Sequence, residues 1–120
     1  LPALVTALNS RGPVQYATFV SDRLGRSSSK EQYVYLYNPK VFTLSTPLVY
    51  NDTADVFERP PYMIQVYSPL LDYNFTAILI HTKPTDASRE ISALAAVYDE
   101  AARLYANPSA VIMGDFNAGC

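Results

Sequence analysis

The chain has little with which to staple itself or to cross a membrane. Its one cysteine, Cys120, stands at the last position, so no disulfide within these residues is expected, and Cys120 is either a free thiol or paired outside them. No apolar run approaches the about 20 residues that span a bilayer. Leu1-Pro2-Ala3 shows neither a basic region nor a signal core, so no membrane association is expected. Net charge is scarce too: nine Lys and Arg against eleven Asp and Glu leave −2. That argues against a passive nucleic-acid coat, and any phosphate binding must come from local cations or bound metal. Histidine occurs once, at His81.

What is present suits a single core: 120 residues with 49% hydrophobic content. The stretch Val111-Ile112-Met113-Gly114-Asp115-Phe116-Asn117 is the most pointed. Residues 110–113 read as a strand buried on both faces, and the polar side chains begin where it breaks. In an extended or turning segment Asp115 and Asn117 point into one cleft while Phe116 turns back to the core. A carboxylate beside an amide suits a hard divalent cation and a phosphate oxygen. An Asx turn that only satisfies local backbone groups is the plainer alternative.

Leu1, Leu4, Val5 and Leu8 recur at helical spacing, Pro2 suits a first turn, and Asn9-Ser10-Arg11-Gly12-Pro13 stops the helix. So short a stripe is expected to be the tail of a longer helix. Residues 16–20 read as a strand leading into the polar loop 21–30, where Arg23, Arg26 and Lys30 flank Ser27, Ser28 and Ser29. Such a loop supplies cations and hydroxyls to a phosphate backbone, or is simply a solvated surface. Residues 33–37 form the next strand, which Asn38-Pro39-Lys40 joins as an antiparallel hairpin to a strand 41–50 interrupted by Pro47. Asn51-Asp52-Thr53 and Asn74-Phe75-Thr76 are candidate glycosylation sequons at Asn51 and Asn74, the former in the more loop-like context. Arg59, placed before Pro60-Pro61, is held extended.

A strand over 62–67 follows. Residues 75–80 are nearly continuous apolar sequence and read as a central strand with His81 at its carboxyl end, a position open to a structural or a catalytic histidine. Thr85 or Asp86 caps a helix over 87–105, with Ile91, Leu94, Ala95, Tyr98, Ala101 or Ala102, and Tyr105 on one face; Glu90 suits its positive end, and Asn107-Pro108 ends it. A strand, a crossover helix and a parallel strand then bring His81 and Asp115 to one rim.

Several separated stretches together resemble the deoxyribonuclease I family: Leu24-Gly25-Arg26-Ser27-Ser28-Ser29-Lys30-Glu31, Phe57-Glu58-Arg59-Pro60-Pro61, His81-Thr82-Lys83-Pro84, and Met113-Gly114-Asp115-Phe116-Asn117-Ala118-Gly119-Cys120. The Gly-Asp-Phe-Asn element alone is similar to the wider endonuclease/exonuclease/phosphatase superfamily. The resemblance implies an α+β sandwich of two sheets with outer helices, of which this chain covers about half as a partial nuclease domain. It implies metal-dependent endonuclease chemistry on DNA, with Mg2+ and Ca2+ as cofactors and secretion from the cell. By resemblance Glu31 pairs with the catalytic His81, Asp115 belongs to the metal and phosphate site, and Asn117 orients a phosphate oxygen. Arg26 with Ser27, Ser28 and Ser29 resembles the loop that enters the DNA minor groove, and Arg59 an arginine near the phosphate-binding face. A carboxylate beside a histidine makes sense in this chemistry, because it fixes the ring tautomer.

There are departures. Ser29 stands where the family often has a stacking tyrosine, and Pro60 where it has a glutamate of a calcium site. Thr18 stands at an aromatic actin contact, so actin binding is not expected. The family enzyme is about twice as long, so the resemblance implies a central segment that is inactive alone, with Cys120 bonded to a further segment. Burial points the same way: the strand at 75–80 needs cover on both faces, and leaving large side chains open forfeits about 1.5–3 kcal/mol each. The remainder of the domain or another chain is expected on the uncovered face. A catalytically inactive binding module and a phosphatase of the same superfamily are the alternatives.

Overall fold

A computed structural model describes residues 1–119, and the disulfide expected at Cys120 lies outside them. The elements run α1 (Pro2–Asn9), β1 (Ala17–Val20), β2 (Val34–Tyr37), β3 (Thr43–Leu44), β4 (Leu48–Val49), β5 (Tyr62–Ser68), β6 (Tyr73–His81), a 3-10 turn (Pro84–Asp86), α2 (Ala87–Tyr105) and β7 (Ala110–Asp115). The larger sheet has the order β3-β5-β6-β7, with β4 also on β5, and β1 with β2 forms a second, two-stranded sheet.

The central strand explains this layering. Thr76, Ala77, Ile78 and Ile80 of β6 are all buried, so both faces of the strand are covered. On one face Ile78, Ile80 and Met63 meet Leu94, Val97 and Ala101 of α2. On the other Ala77, Ile64 and Val66 meet Tyr35, with Phe19 and Tyr33 beside them. Tyr35 ties the two sheets together, its hydroxyl lying 2.7 Å from Tyr62 O and 2.8 Å from Ala77 O. Burial pushes the pKa of this phenol up and keeps it neutral. The result is the α+β arrangement of two packed sheets and outer helix.

Three expectations need correction. The hairpin through Asn38-Pro39-Lys40 does not form: β2 pairs antiparallel with β1, and β3 pairs with β5 in the other sheet. The turn is real, since Val41 and Phe42 donate to Asn38 O at 3.0 Å, but it carries the chain from one sheet to the other. The buried face of α2 is Ala87, Glu90, Leu94, Val97 and Ala101, which is rotated from the expected stripe and leaves Ala95 exposed. A charged residue among them hides this face from an apolar count. Asp86 takes the N-cap position without a side-chain capping bond and instead pairs with Lys83 at 3.3 Å.

The third correction concerns β7, which is not buried on both faces. Val111 and Met113 are 46% and 39% exposed, because β7 ends the sheet among the described residues and the β1–β2 layer stops short of it. They border an apolar groove of about 310 Å3 with Leu36, Phe42 and Phe75.

Candidate active site

The rim of the site is written in the pairing of β6 with β7. Their parallel register sets His81 opposite Asp115, as the crossover reading expects. Thr82 locks the strand ends: its N–H donates to Asp115 O at 3.0 Å and its hydroxyl to Phe116 O at 2.6 Å.

Glu31 reaches this rim from the opposite layer. The loop after β1 is closed by a two-way bridge, Leu24 N–H to Glu31 O at 2.8 Å and Glu31 N–H to Leu24 O at 3.0 Å. That bridge fixes the backbone from which the carboxylate extends to His81, where Oε2 lies 2.6 Å from Nδ1. The other oxygen, Oε1, stands 3.6 Å from Arg59 Nη1. Arg59 is buried rather than laid open on the rim, and its Nε donates to His81 O at 3.3 Å. The opposite side of the His81 backbone is also held, with its N–H donating to Tyr33 Oη at 3.1 Å while that hydroxyl donates to Arg59 O at 3.2 Å. Burial pushes the Tyr33 pKa up to about 12, so this bridging phenol stays neutral in ordinary buffers. A short bond to a carboxylate assigns the Nδ1 proton, and leaves Nε2 as the ring atom that meets the cleft.

The two polar residues that close the Gly-Asp-Phe-Asn element divide their tasks. Asp115 Oδ1 accepts Asn117 N–H at 3.0 Å, so the Asx turn is present at that oxygen. Oδ2 is 3.8 Å from His81 Nε2, beyond hydrogen-bond distance, which leaves a space between the ring and a largely exposed carboxylate. Asn117 adopts φ 45° and donates from Nδ2 to Thr82 O at 2.8 Å. Its side chain therefore lines a neighbouring hollow with Pro84, Thr85 and Ser88. Glu31, Tyr33, Arg59, His81 and Asp115 share a separate cleft of about 300 Å3. The expectation that Asp115 and Asn117 point into one cleft is thus corrected by a left-handed backbone and a bond to Thr82.

Carboxylate and amide oxygens suit a hard cation such as Mg2+. Among the described residues no three His, Cys, Asp or Glu side chains gather as a metal site. Asp115 fits one corner of such a site and does not complete it.

Arg26, Ser27, Ser28 and Ser29 lie together on an exposed loop. Arg26 Nη1 is 3.3 Å from both the carbonyl and the carboxylate of Asp55. Ser27 N–H donates to Glu58 Oε1 at 2.9 Å. This N–H holds the Glu58 carboxyl below the usual range, with Lys83 and Arg26 adding to it. A depressed folded pKa adds stability that stands above the unfolded carboxylate range and is lost as pH falls through the folded value. Asn51 and Asn74 are both exposed.

Tyr33 and Thr82 carry much of the rim geometry, Glu58 and Glu90 hold the backbone beside the Arg26–Ser29 loop, and none of the four was singled out from the sequence. Tyr33 is indistinguishable there from its strand neighbours, and Glu90 looks like an ordinary first-turn acid. The positions of Glu58 next to Arg59 in Phe-Glu-Arg-Pro-Pro and of Thr82 next to His81 in His-Thr-Lys-Pro offered the only signals. Tyr33→Phe removes the acceptor for His81 N–H and the donor to Arg59 O. It is expected to cost about 1–3 kcal/mol of stability, measured by urea unfolding, and to slow any His81-dependent reaction. An unchanged rate in a folded variant would show that Tyr33 does not fix the ring.

No protein-family model matches the chain. In an alignment of 126 positions that covers 99% of the chain, it is 36% identical to deoxyribonuclease gamma of Rattus norvegicus, of which it covers 41%. In an alignment of 123 positions that covers 98% of the chain, it is 37% identical to deoxyribonuclease-1 of Canis lupus familiaris, of which it covers 43%. Among solved structures, an endonuclease/exonuclease/phosphatase from Bacteroides vulgatus superposes with TM-score 0.58 at 15% identity, over 86% of this chain and 44% of that one. The chain spans about two fifths of the length of these curated relatives.

Proposed function

We propose that the protein is a member of the deoxyribonuclease I family, to whose curated relatives the chain is 36% and 37% identical, and a divalent-metal-dependent endonuclease hydrolysing DNA phosphodiester bonds. The observation that carries this reading is the 2.6 Å contact between Glu31 and His81 at the same rim as Asp115. Glu31 holds the Nδ1 proton and stabilises a charged ring, so that Nε2 delivers a hydrogen bond or a proton to an oxygen of the scissile phosphate. Arg59 keeps Glu31 in place and Tyr33 keeps the His81 backbone in place. Asp115 would hold one corner of a divalent-cation site, and a bound cation would supply charge neutralisation at the phosphate. The second N–H of the Asn117 amide, in the neighbouring hollow, is left for a phosphate oxygen outside the His81 cleft.

The loop at Arg26–Ser29 favours a polymer backbone over a phosphomonoester, because its cation and hydroxyls extend the contact beyond one phosphate. Further parts of the reading are Mg2+ as the working ion, secretion, glycosylation at Asn51, and cover of the Val111–Met113 face by another part of the nuclease domain. In the intact protein, supercoiled plasmid is expected to become nicked with Mg2+, and excess EDTA is expected to stop it. Hydrolysis of inositol phosphates with intact plasmid would replace this reading by the phosphatase one.

A further inference from the structure

Glu58 is a buried carboxylate that the proposed chemistry does not use. Its side chain is 5% exposed, yet Arg26 Nε, the only cationic group within 4 Å among the described residues, stands 3.9 Å off. Its firm contact is Ser27 N–H at 2.9 Å. The Glu58 backbone is committed as well: its O accepts Arg26 N–H at 3.2 Å, and its N–H donates to Glu90 Oε1 at 3.0 Å. Glu90 is itself fully buried on α2 and takes Lys83 N–H on its other oxygen at 3.3 Å. The Glu58 charge is held in the fold by the Ser27 N–H more than by an ion pair. What it does is constrain: one end of Glu58 is fixed to the helix and the other grips the loop.

We propose that Glu58 is the positioning residue of the Arg26–Ser29 loop, fixing it in one path before a duplex substrate binds. The inference rests on the nuclease reading. A loop ordered in advance spares the complex the entropy of ordering it on binding. The loop needs such help, since it is a run of exposed serines around Ser28, with Gly25 at φ 142°, and it has no aromatic ring to pack down. It offers hydroxyls to groove edges and phosphates, and no face on which an unpaired base would stack. Glu31 and His81 are held by the Leu24 bridge, Tyr33 and Arg59, none of which involves the Glu58 carboxylate.

The test compares wild type, Glu58→Ala and Glu58→Gln in the intact protein, on a linear DNA duplex and on bis(p-nitrophenyl) phosphate, a diester too small to reach the loop. Glu58→Ala is expected to raise KM for the duplex about tenfold with kcat within about twofold, and to spare the small diester. Glu58→Gln, which keeps an acceptor for Ser27 N–H, is expected to stay near wild type. Hydrogen exchange at the Ser27 amide is expected to be slow in wild type and Glu58→Gln and fast in Glu58→Ala. Unchanged Ser27 exchange, or equal losses on both substrates, would overturn the assignment. A wild-type protein that cleaves neither substrate would overturn the nuclease reading instead, and Ser27 exchange would still decide whether the clamp exists.

Discussion

Replacing His81 with alanine is expected to slow plasmid nicking by about 10²–10⁴-fold, the range over which a positioned acid–base group contributes, while the protein stays folded. The expectation of folding comes from which His81 atoms hold the structure. Its N–H bonds Tyr33 and its carbonyl bonds Arg59, both through backbone that alanine keeps. Only the Nδ1 contact to Glu31 is lost, and that carboxylate is 45% exposed at its side chain and still faces Arg59. Glu31→Gln is expected to fall between wild type and His81→Ala, since an amide oxygen still accepts the Nδ1 proton but cannot neutralise a charged ring. The measurement is the initial nicking rate at saturating Mg2+, with circular dichroism as the folding control. Undiminished nicking by a folded His81→Ala variant would remove the ring from the chemistry.

Much of this site was legible because it depends on strand ends. The apolar run at 75–80, the helix over 87–105 and the apolar run at 110–113 dictate a parallel pair, and a parallel pair sets His81 against Asp115 whatever else the fold does. Glu31 was different: nothing in its spacing points to His81, fifty positions away, and only the family resemblance joined them. The β1–β2 pairing was missed because an Asn-Pro-Lys turn between two apolar runs looks the same whether the chain folds back on itself or crosses to a second sheet. The support network was missed for another reason. Glu58 and Glu90 are carboxylates at buried positions, where patterning assigns apolar residues, and their partners are backbone N–H groups with no sequence identity to read. Tyr33, likewise, is chosen for its hydroxyl rather than for the ring that makes it look like a strand residue.

Gly114→Ala is expected to be the most damaging single-methyl change in the chain. Gly114 lies in β7 opposite Ile80 of β6, with φ 148°. A Cβ there would stand 1.7 Å from Ile80 O and 2.8 Å from Ile80 C. Those are backbone atoms of the central strand, paired on its other side with β5 and buried against α2, so they cannot yield as a side-chain end would. Either β7 separates from β6 at its carboxyl end or the left-handed backbone flips, and both move Asp115 away from His81. The cost is expected to exceed about 4 kcal/mol, a large part of the 5–15 kcal/mol by which a domain is stable. Gly12→Ala is the matched control, because its Cβ would meet nothing within 4 Å, and it is expected to stay within about 0.5 kcal/mol of wild type. Urea midpoints of the two variants settle the matter. A Gly114→Ala protein as stable as the Gly12→Ala control would mean that β6 and β7 do not approach so closely at the rim, and the placement of Asp115 beside His81 would fall with that pairing.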